Sequence, residues 1–388
     1  MWSQKKVENK DLFSEENDLL VPESFNESDE QLARISEMSK KPYLLLKENN
    51  YFEAKIAFEE ILKIQDNNSY ALVGLGDTER KQGHFHEAMT YYNKCLESYP
   101  ANSYALFGLA DCYKALNQYS RAIEIWQQYL VQDDKNITVI TRVADAYRKI
   151  HDFRKSKELY LKVLDMETDN AYALIGLGHL NYDFKEYKDA LYYWTRVYEI
   201  NKEFSDVRVL TAIGNCHRKL KTFDQGVKFF EMTLDKEPNN FYALFGLADC
   251  YRGMNQQYKS IEYWKKILEI DPKNKVILTR TGDAYRTTGN YEEAKNYYNR
   301  ALEIDFDIYA AIGLALICKG EGKIDEAITR FTNLIKNDQR NSRLYVDLAE
   351  CYMQINRRDD ALRILENYLR IDGRNLSVKN LYSKLQRG

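Results

Sequence analysis

Few residue types in this chain could do covalent chemistry, and their spacing argues against it. The stretch "HFHEA" sets His84 and His86 two positions apart. Rings two apart on a helix diverge, so a shared metal ion is not expected. "GLGDTERKQG" and "GLGHLNYDF" have the glycines of a phosphate loop. Such a loop needs them between a strand and a helix, and these stretches follow a helical register. No Ser, His and Asp set suited to nucleophilic catalysis stands out. The six cysteines contain no CxxC pair, so buried free thiols are expected rather than disulfides or a metal site. No cofactor is implied.

What does recur is a pattern of charges. An acidic or polar place holds Asp77, Asp111, Asp145, His179, Asn215, Asp249 and Asp283. Three residues after most of these comes a cation, in Arg80, Lys114, Arg148, Arg218, Arg252 and Arg286; Lys319 continues that series. Residues three apart share a helix face and can pair within one helix or with a neighbour. An aromatic series also recurs: Tyr70, Tyr104, Tyr172, Tyr242 and Tyr309. Three residues on lie Val73, Phe107, Ile175, Phe245 and Ile312, each followed by glycine (Gly74, Gly108, Gly176, Gly246, Gly313). Helical glycine costs about 1 kcal/mol against alanine, so five at one phase imply the close approach of a neighbouring helix or a ligand. In alternate repeats that place holds Arg142 and Arg280.

Bulk properties exclude other classes. The 388 residues carry a net charge of -3, which opposes a strongly basic nucleic-acid binder. Five prolines and 44% hydrophobic residues suit long helices around a core. No apolar run suggests a signal peptide or a membrane span, so the expected compartment is cytoplasmic.

The elements that position these residues are repeats. Ala54, Ala88, Ala122, Ser156 and Ala190 follow one another at intervals of 34 residues. After a slightly longer step near Phe204 come Gly226, Ser260, Ala294, Ala327 and Ala361. Four positions after each stands a large residue: Phe58, Tyr92, Trp126, Tyr160, Trp194, Phe230, Trp264, Tyr298, Phe331 and Leu365. Leu106, Leu109, Ala110 and Tyr113 form one helical stripe; Ala122, Ile123, Trp126, Tyr129 and Leu130 form another. "LNQYS" between them reads as a tight turn. Each repeat is therefore two antiparallel amphipathic helices. "YALFGLADCYK" from Tyr104 returns as "YALFGLADCYR" from Tyr242, so first helices of two types alternate.

With the segment "LTRTGDAYRTTGNYEEAKNYYNRALEID" from Leu278, this period and order of residues resemble the tetratricopeptide repeat (TPR) family. The resemblance spans about 90% of the chain. Departures are Pro42 in a degenerate first helix and Gln257 in place of the usual turn aromatic. It implies an all-α, right-handed solenoid of about ten helix-turn-helix units over residues 35–375. Residues 376–388 read as a capping helix, with Leu376, Leu381 and Leu385 covering the last repeat. Residues 1–34 carry about nine acidic and four basic side chains and read as a disordered acidic tail that could dock in its own groove or recruit a partner.

The resemblance also implies that first helices line a concave groove that binds an extended peptide or partner protein. The groove residues would be Tyr104, Phe107, Asp111, Arg142, Asp145, Arg148, Tyr172, His179, Asn215, Arg218, Tyr242, Phe245, Asp249, Arg252, Arg280, Asp283 and Arg286. The lysine of the family's carboxylate clamp is absent beside the aromatic series, which opposes a chaperone-tail clamp. Two readings of the charges stay open: they brace the array, or they receive a ligand. The function expected is a non-catalytic scaffold, with an RNA-binding helical repeat or a regulatory subunit of an enzyme as alternatives.

Overall fold

A computed structural model describes residues 35–200 and 206–387. The acidic tail and the joint near Phe204 lie outside the described residues. Among the described residues there are twenty-one helices and no strand. After the short helix Pro42–Lys47, which opens on its proline, the chain alternates first helices, such as Ser69–Gln82 and Ser103–Ala115, with second helices, such as Phe85–Ser98 and Tyr119–Gln132. The last helix is Leu376–Arg387.

Local chemistry sets these boundaries. Six first helices open on an asparagine that caps them through its side chain: Asn68, Asn102, Asn136, Asn170, Asn240 and Asn274. Each side-chain oxygen accepts a hydrogen bond from the backbone N–H three residues on, as Asn102 does from Ala105 at 2.9 Å. That satisfies one of the four donors a helix start leaves unpaired. The turn inside each repeat reverses through one left-handed residue. Gly83, Gly289 and Gly322 take it freely, Asn49, Asn117, Asn255, Asn356 and His151 at small cost, and Lys185 and Lys221 against their preference.

The small and large positions read from the sequence are all buried, with Ala54, Ala122, Phe58 and Trp126 wholly inaccessible. The glycine series follows from the same packing. A Cβ on Gly74, Gly108, Gly246 or Gly313 would lie 2.2–2.3 Å from the large ring of the preceding repeat, respectively Phe58, Tyr92, Phe230 and Tyr298. The neighbour that glycine admits is therefore a protein side chain.

Two compact blocks divide the chain, one ending at Leu159 and the other beginning at Tyr160. In the first block each core cluster draws on three successive helices. The Tyr92 cluster combines Leu72, Ala88, Cys95, Ala105 and Leu109; the Trp126 cluster combines Leu106, Ala122, Val139 and Val143. The second block repeats the scheme around Trp264 with Leu244, Leu278 and Ala294, and around Phe331 with Leu344, Leu348 and Leu365. One repeat cannot close its core without the next, as stacking predicts.

One expectation about the last helix is corrected. Leu376 is 73% exposed; Val378 is the buried residue of the last helix, with Leu381 and Leu385 packed at its margin. Helix start Leu376 precedes the turn that faces the preceding repeat, and Val378 two residues on is rotated onto it. In the series three residues after the tyrosines, Val73 and Ile312 are buried in the core, whereas Ile175 is half-buried. All six cysteines are buried free thiols, as expected. Burial raises the Cys112, Cys216 and Cys250 thiols to about 12.

Candidate functional site

First helices of neighbouring repeats touch directly. Ser69–Gln82 meets Ser103–Ala115, and in the second block Val207–Lys219 meets Phe241–Gly253. Their outward edges carry the recurring charges, and these are largely spoken for.

In the first block Asp77 is buried and accepts hydrogen bonds from Tyr92 Oη at 2.7 Å and from Arg80 at 2.9 Å. Asp111 accepts from Arg142 at 2.7 Å and lies 3.8 Å from Arg80. Asp145 pairs with Arg148 at 3.1 Å within its own helix. Lys114 forms no ion pair within 4.0 Å among the described residues, and burial followed by the nearby Arg142 guanidinium pushes its pKa down. The Arg142 guanidinium also lies 4.8 Å from the centroid of the half-buried Phe107 ring.

The second block builds the corresponding node from the duplicated segment. Asp249 receives three guanidinium groups: Arg218 at 2.7 Å, Arg252 at 2.9 Å and Arg280 at 3.0 Å. Arg280 covers Phe245 at 5.0 Å, as Arg142 covers Phe107. Asn215, which takes the place of Asp77, accepts from Arg218 at 3.0 Å. Asp283 accepts from Tyr298 Oη at 2.7 Å and lies 3.8 Å from Arg286, which repeats the Asp77–Tyr92–Arg80 arrangement. The Asp–Arg pairing foreseen from the spacing thus occurs both within and between repeats.

The aromatic series is different. Tyr104, Tyr172, Tyr242 and Tyr309 are 44%, 60%, 69% and 64% exposed at the starts of their helices. Tyr70 departs from them: its hydroxyl donates to the Ser39 carbonyl, and its ring packs edge-on against Tyr43. His179 is exposed, with its ring edge-on to Trp194 at 4.8 Å. Among the described residues no group of three or more His, Cys, Asp or Glu side chains could hold a metal ion, and no helix is long and apolar enough to cross a membrane.

Sequence reasoning missed several contributors. A cavity of about 330 Å³ in the first block is lined by Arg80, Asp111, Lys114, Tyr119, Arg142 and Asp145, with Lys149 at its edge. Tyr119 and Lys149 lie outside the recurring charge places, so no spacing signal selects them. Glu79, which is buried, holds Lys55 at 2.6 Å and His84 at 2.8 Å. His84 is thereby a structural partner at a helix start.

Family models described as tetratricopeptide repeat match residues 79–140, 142–206, 242–274, 277–308 and 320–385. Together they span most of the array, and this chain belongs to the tetratricopeptide repeat family. No curated protein matches the chain. Among solved structures it is similar to MamA, with 24% identity over 42% of this chain and 95% of the other at a TM-score of 0.39. A tetratricopeptide repeat protein from Parabacteroides merdae ATCC 43184 shows 15% identity over 73% of this chain and 98% of its own, at a TM-score of 0.38. YrrB, described as a TPR protein with an unusual peptide-binding site, shows 20% identity over 48% of this chain and 95% of its own, at 0.41.

Proposed function

We propose that the protein is a non-catalytic scaffold that binds an extended peptide or partner protein along the exposed edges of its first helices. The observation that carries this reading is the set of exposed tyrosines, Tyr104, Tyr172, Tyr242 and Tyr309, at one phase of four first helices. A stack needs no aromatic ring there, since the core is already filled by the large residue of each second helix. Tyrosine offers a rigid apolar face and a hydrogen-bonding tip at low entropic cost, which is the profile of a contact residue. Elsewhere on the first helices, the guanidinium groups of Arg142, Arg218 and Arg280 stay partly exposed although each is held by a carboxylate. Held side chains lose little further freedom when a ligand arrives.

The test changes all four tyrosines to serine and measures capture of partners by affinity purification with mass spectrometry. Loss of specific partners with an unchanged melting temperature supports the reading. An unchanged partner set refutes it.

A further inference from the structure

The charge nodes around Asp111 and Asp249 hold more positive charge than a brace requires. Like charges set side by side repel, so cations beyond those that carboxylates hold add nothing to a brace, although most of them here keep part of their hydration. The first cavity is lined by Arg80, Lys114, Arg142 and the exposed Lys149 with Asp111 and Asp145, and Arg80 is held from outside the lining by Asp77 at 2.9 Å. Both carboxylates are already engaged, Asp111 by Arg142 at 2.7 Å and Asp145 by Arg148 at 3.1 Å. Lys114 reaches neither within 4.0 Å, and its charge is disfavoured by burial and by Arg142. In the second block three arginines share the single carboxylate of Asp249, and Asn215 removes the acid that Asp77 supplies in the first. The imbalance thus appears twice, on the two copies of the same segment.

We propose that each node is a pocket for an anionic group, a carboxylate or phosphate, carried by a side chain of the bound peptide. This deepens the peptide-binding reading and rests on it. An anion entering the first cavity lies among the cationic groups of Arg80, Lys114 and Arg142 and supplies the charge Lys114 lacks. Guanidinium forks suit two oxygens of one group, and Lys114 adds a point charge. The cavity of about 330 Å³ accommodates a phosphorylated or glutamate side chain, with the Tyr119 ring along its wall.

The experiment uses the full chain and three synthetic Gly/Ser peptides that differ only at their centre: phosphoserine, a Glu-Glu pair, or a Gln-Gln pair. A single-stranded RNA oligonucleotide serves as a fourth probe. Binding is measured by calorimetry, and acylation of Lys114 by mass spectrometry. Expected are two binding events for the phosphoserine or the Glu-Glu peptide, with affinity at least tenfold above the Gln-Gln peptide. Protection of Lys114 from acylation by about fivefold or more accompanies the first. Whichever acidic peptide binds more tightly identifies phosphate or carboxylate as the source. Lys114→Gln and Arg252→Gln should each remove one event. Lys114→Gln leaves no carboxylate unpaired, so its melting temperature should not fall. Equal binding of the Gln-Gln peptide, or Lys114→Gln binding like the parent, overturns the proposal. Tighter RNA binding with the same dependence on Lys114 overturns the peptide as the source. If Lys114→Gln retains natural partners while the tyrosine variant loses them, only the anion pockets fail. If both retain them, the peptide-binding reading fails as well.

Discussion

Gly246→Ala is the sharpest test of the packing argument, because two effects of known sign oppose each other. Helix propensity favours alanine by about 1 kcal/mol. The new methyl carbon, however, would lie 2.3 Å from Phe230 Cζ and 2.5 Å from Cε1 and Cε2. Non-bonded carbons rest at about 3.5–4.0 Å, so the ring or the helix must yield by more than 1 Å. Phe230 is wholly buried, so its ring cannot swing out into solvent without opening the core. Overpacking of this kind costs about 1–3 kcal/mol. The net expectation is a loss of up to about 2 kcal/mol, read as a lower urea midpoint by circular dichroism at 222 nm. Stability in a repeat array is local, so hydrogen exchange in the helix Phe241–Gly253 should rise most. Phe230→Leu in the Gly246→Ala background should relieve the clash, with a favourable coupling of about 1 kcal/mol or more. A higher midpoint for Gly246→Ala would refute the reasoning and return a ligand as the reason for the glycines, since a place kept open for a ligand leaves the free chain's stability to propensity alone.

Other outcomes follow from the same structure. Asp249→Asn leaves three guanidinium groups around a neutral amide and should destabilise the second block by on the order of 3 kcal/mol, whereas Asp145→Asn, whose carboxylate is 42% exposed, should cost less than about 1 kcal/mol by the same denaturant titration. Trp264→Ala empties a fully buried position and should lower stability by about 3–5 kcal/mol. Lys185→Gly relieves a residue held at φ 67° and should raise stability by about 0.5–1 kcal/mol, against a fall for the same change at Lys188, in the first turn of the helix that follows. The thiols of Cys112, Cys216 and Cys250 are raised to about 12 from an ordinary value of 9.0, so the folded state holds their protons longer than the unfolded one. Their contribution to stability is complete below pH 9 and is lost as pH rises toward 12; a disulfide reagent at pH 8 should leave them intact until denaturant is added.

Part of the candidate site was legible before any coordinates. The Asp and Arg series had a spacing that forces both onto one helix face, so Asp77–Arg80 and Asp249–Arg252 pairs could be anticipated. The cross-repeat bonds, Arg142 to Asp111 and Arg280 to Asp249, could not be named. Which acid an arginine chooses depends on its reach across an interface whose offset no local pattern encodes. Tyr119 and Lys149 escaped notice for a related reason: they line the cavity by standing at helix ends that stacking brings near Lys114.

The sequence by itself determined the repeat, its helix pairs and the buried small and large positions. Those follow from short-range periodicity, since a 3.6-residue helix can bury only one stripe and a 34-residue period can only stack. Tertiary structure alone decided what the glycines face, that Val73 and Ile312 are core while Tyr104 and Tyr242 are exposed, and that the charges outnumber their partners at two nodes. Each of those depends on atoms from a neighbouring repeat, and the distance between two packed surfaces is set by every side chain in the contact rather than by any one position.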